Sequence, residues 1–194
     1  MTIRPGEEWG TSVDRPDDLV VLPGDAALAD AVAAGRAPLA VAGGDLHRAV
    51  GNPEPRPQMQ RVDVDLIRAV VDGEELVAVA HVVARRSWWR GPIVAVMNVD
   101  HIGAWNVAPR AHPNDGRLDI VEVDRSMGVR QRWQARRRLP QGTHVPHPAI
   151  STRRATDATW AFDPPLRLWL DGVARGPVSE LSVTVEPDAY ALHI

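Results

Sequence analysis

The sequence predicts an α+β fold in which a short, Rossmann-like α/β segment precedes an antiparallel β-sandwich. Over the first fifty residues, apolar runs alternate with helical stretches, as the strands and helices of a parallel unit do. From Arg61 onward the hydrophobic period changes to two, and turn residues separate one short run from the next. We therefore expect an α/β segment in residues 1–58 and a sandwich in residues 59–194.

The α/β segment is predicted to run strand, helix, strand, helix. Gly35 stands where a helix C-terminal glycine belongs, and Asp25 and Asp45 stand where a carboxylate satisfies the free amides of a helix N-terminus. Three prolines in residues 53–57 then break the pattern and predict a linker. The four elements are expected at Leu19–Leu22, Asp25–Ala34, Pro38–Ala42 and Asp45–Val50.

Alternation of apolar and polar residues predicts the sandwich strands. Val62, Val64 and Leu66 alternate with Asp63 and Asp65 in the period of a strand, and an Asp-Gly turn follows. Further strands are predicted at Leu76–Ala84, Ile93–Val99, Leu118–Val123, Thr156–Phe162, Leu166–Leu170, Leu181–Glu186 and Tyr190–Ile194. This number of short strands with turns between them is typical of a sandwich.

One predicted helix interrupts these strands. It spans Ser126–Leu139, with Ser126 as its N-cap and Met127 and Trp133 as its main apolar anchors. Five arginines lie between Arg130 and Arg138. A solvated face explains them, and attraction of anionic lipid headgroups is the alternative.

A second basic stretch contains aromatic residues. In RRSWWRG, residues 85–91, Trp88 and Trp89 stand among three arginines at a predicted turn. Such residues suit either a plug between domains or contact with a membrane interface or an anionic partner.

Composition excludes several classes of protein. The chain has no cysteine, so it has neither disulfides nor thiolate metal sites. Its net charge of −3 gives no pull toward nucleic acid. The longest apolar run, Leu76–Ala84, is shorter than the roughly 20 residues that span a bilayer, and MTIRPGEEWG lacks the apolar core of a secretory signal. We expect a cytoplasmic protein, with a peripheral place at the membrane as the alternative.

Four segments, in this order, resemble the diacylglycerol kinase-like lipid kinases. PGDAALADAV (23–32) and AGGDLHRAVG (42–51) are similar to the two glycine-rich turns of that family. NVAPRAHPNDGRLDIVEV (106–123) and LRLWLDGVARG (166–176) are similar to two segments of its C-terminal sandwich. The resemblance implies an ATP-dependent lipid kinase fold, here without the first part of the nucleotide domain.

The resemblance also implies a set of site residues. Gly24, Gly43, Gly44 and Asp45 would form the turns that hold phosphate, and Asp25 and Asp45 would be the catalytic carboxylates of an active enzyme. In the segment HPNDGR, Asp115 would bind a structural magnesium together with the backbone carbonyls of His112 and Arg117. The alternative for that segment is an ordinary Asn-Asp-Gly turn. His144 and His147 are expected to be structural or solvated rather than metal ligands.

Several residues depart from the family pattern. Pro23 has no N–H to donate to a phosphate, and Ala26 and Ala27 replace a Gly-Thr pair. Val173 stands where the family has the glutamate of its DGE segment. We therefore expect an impaired kinase that acts as a lipid-binding, ligand-binding or regulatory module, with homo-oligomerisation and no nucleic-acid partner. The alternatives are an active, ATP-dependent lipid kinase on a shortened scaffold and a structural self-assembling protein.

Overall fold

The computed structural model describes residues 9–54 and 56–194. Within these ranges the chain forms thirteen strands, three α-helices and one short 3-10 helix. Most of the strands are antiparallel, which agrees with the predicted sandwich. Of the sequence predictions, the first eight residues and Pro55 of the linker lie outside the described residues.

The helices and strands are numbered in chain order. The strands are β1 (Thr11–Asp14), β2 (Val20–Leu22), β3 (Leu39–Val41), β4 (Gln58–Val71), β5 (Glu74–Ala78), β6 (His81–Arg85), β7 (Ile93–Met97), β8 (His101–Ile102), β9 (Trp105–Asn106), β10 (Leu118–Val123), β11 (Ile150–Ala155), β12 (Asp157–Leu170) and β13 (Val173–His193). The helices are α1 (Asp25–Ala33), α2 (Gly44–Ala49) and α3 (Val129–Arg138), and the 3-10 helix is Leu139–Gln141.

The first segment forms a small parallel unit that joins the larger sheet. Strands β2 and β3 pair in parallel, and β3 also pairs in parallel with β13 through Leu39 and Leu192. Leu28 and Leu46, from the two helices, lie in one buried cluster with Leu192. The predicted division into two domains at residue 58 stays a prediction. Apolar residues from before and after residue 58 pack together in this buried cluster.

The antiparallel strands follow the order β1-β4-β13-β12-β6-β7-β10-β11, and β5 also pairs with β4. The long strands β4, β12 and β13 enclose an apolar core that includes Ile67, Leu168 and Leu181, each fully buried. Burial of side chains of this size contributes about 1.5–3 kcal/mol each. A smaller cluster lies under α3 and the β8–β9 hairpin, and it includes Met97 and Val107.

Three predicted strand boundaries are wrong. The run Leu76–Ala84 forms two strands, β5 and β6, because the chain leaves the β4 ladder after Ala78 and joins β12 and β7 from His81. Conversely, two predicted pairs of strands are each continuous. Strand β12 carries an irregularity between Ala161 and Leu166, and β13 carries one after Glu186, since turn residues there bend the strand without ending it.

Helix α3 also differs from its prediction. Gly128, not Ser126, is the N-cap, and its N–H donates to Gln131 Oε1 at 3.0 Å. Met127 is buried as predicted, but Trp133 is 49% exposed, whereas Arg132 is only 4% exposed. The guanidinium of Arg132 donates to the carbonyls of Met127, Asp124 and Gly91, so its N–H groups are hydrogen-bonded despite their burial. Among the described residues, no helix has the length and apolar composition needed to cross a bilayer.

Candidate functional site

The two glycine-rich turns lie against each other. A Cβ added to Gly43 would lie 2.8 Å from the Pro23 carbonyl oxygen, so the turns are in direct backbone contact. Gly24 and Gly43 have φ values of 175° and −173°, which any residue adopts. Only Gly44 needs to be glycine for its conformation, since its φ is 96°.

The Asp25 carboxylate fills the space beside the second turn. Its Oδ2 accepts the N–H of Asp45 at 2.6 Å, and its Oδ1 accepts the N–H of Leu46 at 3.2 Å. Asp25 was predicted to satisfy free amides at a helix N-terminus, and it does so, but for α2. The N-cap of its own helix is Gly24, which has no side-chain cap. An external anion at the start of α2 would therefore meet this carboxylate.

Asp45 contacts the β8–β9 hairpin and does not cap α2. Its two oxygens accept the N–H of Gly103 at 2.9 and 3.1 Å, and Oδ2 lies 3.2 Å from His81 Nε2. Arg48, one turn further along α2, donates to the Gly103 carbonyl oxygen. Asp45 and Arg48 thus dock the second glycine-rich turn onto the sandwich.

His81 and Asp45 stabilise each other's charged forms. Burial acts to lower the pKa of His81, but the hydrogen bond to Asp45 and the charges of Asp171, Asp45 and Asp25 raise it above its ordinary value. Burial acts to raise the pKa of Asp45, but the hydrogen bonds from His81 and Gly103 and the charges of His81 and Arg48 lower it. Sequence analysis missed His81 because it stands inside an apolar run.

Asp171 joins β5 and β6 at their break. Its carboxylate accepts the N–H groups of Val79, Ala80 and His81, each at 2.9 Å, and burial raises its pKa. Two residues later, at the position of the family's glutamate, Val173 is 42% exposed and begins β13. The Asp171 carboxylate is therefore occupied by backbone N–H groups. Val173, at the position where the family has a glutamate, is apolar and has no group that could take part in catalysis.

These buried groups predict an unusual dependence of stability on pH. Burial, the largest cause in each, raises the pKa of Asp25 and of Asp65 to about 6. Because both values lie above the ordinary value of an unfolded chain, the folded state gains stability as the pH falls from about 7 toward 4. The raised pKa of His81 acts in the same direction, since its contribution is lost as the pH rises through the folded value. Asp45, whose pKa is lowered, loses its contribution only at lower pH.

We therefore expect the free energy of unfolding to be higher near pH 5 than near pH 8, by on the order of 1 kcal/mol for each raised carboxyl group. Urea unfolding at several pH values measures this difference. Asp25→Asn should flatten the rise between pH 7 and 4, whereas Asp30→Asn, on the exposed side of α1, should leave it unchanged. A stability that falls steadily from pH 8 to pH 5 would contradict the assignment.

Asp65 holds the loop in which a magnesium was expected. The alternation of β4 predicts a polar, outward Asp65, but the side chain is 0% exposed. Its oxygens accept the N–H groups of Asp188 and Gly116 at 2.9 and 2.7 Å, and its own N–H donates to the Pro113 carbonyl at 2.7 Å. A buried carboxylate thus organises residues 113–116 through backbone hydrogen bonds.

Asp115 itself has a protein partner. Its Oδ1 accepts the N–H of Arg117 at 3.0 Å, and its Oδ2 pairs with the guanidinium of Arg154. His112 accepts the Asn114 N–H through Nδ1, so its ring is also engaged locally. Among the described residues, no group of three or more His, Cys, Asp or Glu side chains is arranged to hold a metal. Magnesium at Asp115 stays a prediction, and the arginine at its carboxylate does not fit a bound cation.

A second candidate site lies under α3, and the β8–β9 hairpin borders both sites. A cavity of about 90 Å³, which opens to solvent, separates α3 from strands β7 and β10. Its lining is almost entirely apolar and includes three tryptophans. The lining residues are Trp88, Trp89, Ile93, Ala95, Ile102, Trp105, Val107, Val121, Val123, Met127, Arg132, Ala135, Arg136, Leu139, His144 and Ile150.

Arginines and tryptophans stack along the wall of this cavity. The Arg136 guanidinium lies 4.9 Å from the ring centre of Trp105 and 5.3 Å from that of Trp89. Trp105 meets Trp88 edge to face at 5.1 Å, and Arg85 lies 4.2 Å from the Trp88 ring centre. Contacts of this kind stabilise partly desolvated sites by about 1 kcal/mol each. The sequence identified Trp88, Trp89 and the basic helix, but it missed Trp105 and the cavity.

Comparison with known proteins places the sandwich in a family. Residues 56–194 match the family model described as the YegS C-terminal NAD kinase beta sandwich-like domain. No curated protein matches the sequence.

Three solved structures with a similar fold come from one organism. A structure described as a putative diacylglycerol kinase from Bacillus anthracis str. Sterne gives a TM-score of 0.66 at 14% identity, covering 90% of this chain and 77% of that chain. A second, described in the same way, gives 0.65 with the same identity and coverage. A third, described among the diacylglycerol kinases of that organism, gives 0.61 and covers 90% of this chain and 75% of that chain. At this identity the likeness establishes a shared fold. Because the family model covers most of the chain, the resemblance noted from the four sequence segments is confirmed, and the chain belongs to the YegS-like, diacylglycerol kinase-like family of lipid kinases.

Proposed function

We propose that this chain is a lipid-binding member of the lipid kinase family that does not transfer phosphate. The observation that carries the proposal is the tryptophan-lined cavity between α3 and the sheet. Ligand sites in proteins are concave and largely apolar, with a few polar groups that set orientation. A long apolar chain is the ligand class that matches such a lining.

The outer surface of α3 supports entry from a membrane. Val129 and Trp133, one turn apart, are 48% and 49% exposed, and Trp89 beside the cavity is 38% exposed. Arg137 stacks on Trp133 at 4.9 Å, and Arg138 follows it in the same basic run. Exposed tryptophans with flanking arginines favour the interface of an anionic bilayer. The protein would bind the bilayer surface peripherally and take up its ligand from there.

The glycine-rich turns support impaired catalysis. Phosphoryl transfer needs donors that hold the phosphates and a group that orients the acceptor hydroxyl. Pro23 lacks an N–H, and the amides at the start of α2 already donate to Asp25. Val173 can neither accept a proton nor bind a metal. With these residues an ATP phosphate would face a carboxylate and too few donors.

Lipid binding is tested with 1-monooleoylglycerol and the intrinsic fluorescence of the cavity tryptophans. We expect a saturable change for the wild type. Ala135→Trp places a large ring into the cavity and should weaken binding by about tenfold or more, because overpacking costs typically 1–3 kcal/mol. Gln134→Trp adds the same ring on the exposed side of α3 and should bind like the wild type. Equal binding by both variants would remove the cavity as the site.

A second arm tests the catalytic half of the proposal. With labelled ATP, magnesium and dioleoylglycerol, phosphatidate formation should not exceed that of heat-inactivated protein. Transfer above that control would overturn the impairment and favour the alternative of an active kinase that uses Asp25 and Asp45. Lipid binding and phosphate transfer are scored independently, so either half can fail alone.

A further inference from the structure

A single arginine bridges two carboxylates at the loop that was expected to bind magnesium. Arg154 lies in β11, and Asp119 is its direct cross-strand partner in β10. The Nε of Arg154 lies 3.4 Å from Asp119 Oδ2, and its Nη2 donates to Asp115 Oδ2 in the loop that precedes β10. One guanidinium therefore joins this loop to the sheet through two ion pairs.

Both carboxylates are largely shielded from water. The side chains of Asp115 and Asp119 are 18% and 14% exposed. Asp119 Oδ2 is buried without a hydrogen-bond partner among the described residues, and it faces the Arg154 guanidinium. Two carboxylates that share a site repel each other, and a nearby cation offsets that repulsion. The site therefore needs a positive charge, and Arg154 supplies one.

A divalent cation in this loop would need the same oxygens. Magnesium requires oxygen ligands in a near-octahedral arrangement, and a guanidinium beside them would repel it. The Oδ1 of Asp115 already accepts the N–H of Arg117, and its Oδ2 accepts from Arg154. The Asp65 carboxylate, which also holds the loop, accepts two backbone N–H groups. These carboxylates are engaged by donors of the protein itself, so they do not fit a resident magnesium.

We propose that Arg154 is the built-in cation of this loop, with its guanidinium standing between Asp115 and Asp119 where a divalent cation would otherwise bind. The planar guanidinium carries several N–H donors in a fixed arrangement, which allows it to pair with two carboxylates at once. Because this charge is part of the chain, the loop is stable without metal. Neither lipid binding nor phosphate transfer enters this inference, so it goes beyond the proposed function.

The test compares Arg154→Ala with Arg153→Ala. Arg153 is the preceding residue of β11, so its side chain lies on the opposite face of the strand, and its guanidinium lies 5.8 Å from the Trp160 ring centre. Urea unfolding at pH 7 is measured for the wild type and both variants, with EDTA and with millimolar magnesium chloride. The wild type should have the same unfolding midpoint in both buffers.

In EDTA, we expect the equilibrium constant of unfolding to rise by about tenfold or more in Arg154→Ala, because two shielded carboxylates lose their counter-charge. Arg153→Ala should raise it by about two- to fivefold, as expected for the loss of a contact between an arginine and an aromatic ring. Magnesium should recover part of the loss in Arg154→Ala, since the two carboxylates are then available to it, and none of the loss in Arg153→Ala.

If Arg154→Ala does not fold, Arg154→Gln takes its place, because glutamine keeps part of the side-chain length without the charge. A wild type that magnesium stabilises, with the gain abolished by Asp115→Asn, overturns the inference, since metal would then bind beside the arginine. Arg154 variants that are as stable as Arg153→Ala, or that do not respond to magnesium, overturn it as well. All of these outcomes leave the proposed lipid binding intact.

Discussion

Asp171→Ala is expected to lower the free energy of unfolding by about 3–6 kcal/mol, because it leaves three backbone N–H groups without an acceptor. These are the amides of Val79, Ala80 and His81, each 2.9 Å from a carboxylate oxygen. Water has poor access to the break between β5 and β6, since Val79 and Ala80 are fully buried. The measurement is equilibrium unfolding in urea at pH 7.

Asp72→Ala is the matched control for this experiment. Asp72 and Asp171 each begin an Asp-Gly turn between two antiparallel strands, with φ values of 48° and 47°. The Asp72 carboxylate accepts the N–H groups of Ser179 and Glu180, but it does so at an exposed position where water can replace it. We expect Asp72→Ala to lower the free energy of unfolding by about 1 kcal/mol. The strain of alanine at positive φ is common to both variants, so it cancels in the comparison.

Asp171→Asn separates the hydrogen bonds from the charge. Asparagine keeps one acceptor oxygen, tolerates positive φ, and removes a charge that burial disfavours. It should therefore lose less stability than Asp171→Ala. Equal losses for Asp171→Ala and Asp72→Ala would show that the three amides at the strand break do not depend on this carboxylate.

The position of Asp171 illustrates where sequence analysis reaches its limit. Leu76–Ala84 is an apolar run interrupted only by His81, and it contains no turn residue that signals a break. The break exists because a carboxylate some ninety residues further along the chain caps the freed amides. Local patterns predict the presence of strands well, since the period of two is a property of neighbouring residues. They do not predict where a strand changes partner, because that depends on long-range contacts.

The same limit applies to helix α3 and the cavity. Propensity and hydrophobicity favour Trp133 as an anchor over Arg132, but Arg132 is the buried residue because three backbone carbonyls converge on it. Trp88 and Trp89 stood out as a pair in the sequence. Trp105 and His144 were not identified from the sequence, because they lie in separate segments of the chain. Only the fold brings them together in the lining of one cavity.

The glycine-rich turns were predicted more successfully. The sequence places both turns at helix starts and predicts that Asp25 and Asp45 accept the amides of a helix N-terminus. Asp25 does so for α2 and not for its own helix, and the prediction for Asp45 is wrong, because its carboxylate accepts the N–H of Gly103 in the β8–β9 hairpin. In the resulting arrangement the Asp25 carboxylate accepts the amides of Asp45 and Leu46 at the start of α2.

Gly44→Ala tests that arrangement with a second large expected effect. A Cβ at Gly44 would lie 2.3 Å from Asp25 Oδ1, and the other carboxylate atoms are within 2.6 Å. The side chain of Asp25 can move away only by releasing the amides of Asp45 and Leu46. We expect a loss of about 4–7 kcal/mol in the free energy of unfolding, from positive-φ strain together with two charge-assisted hydrogen bonds.

Gly51→Ala is the control for the strain. Its φ of 91° is close to the 96° of Gly44, but a Cβ there meets nothing within 4 Å. Gly51→Ala should lower the free energy of unfolding by about 1–2 kcal/mol. A double-mutant cycle with Asp25→Ala then isolates the contact, since Gly44→Ala should cost little more than Gly51→Ala once the carboxylate is absent. If Gly44→Ala and Gly51→Ala are equally mild, Asp25 does not occupy the start of α2 in solution. The second turn would then be free to accept a phosphate, and the case for an impaired kinase would depend on the sequence departures at Pro23, Ala26, Ala27 and Val173.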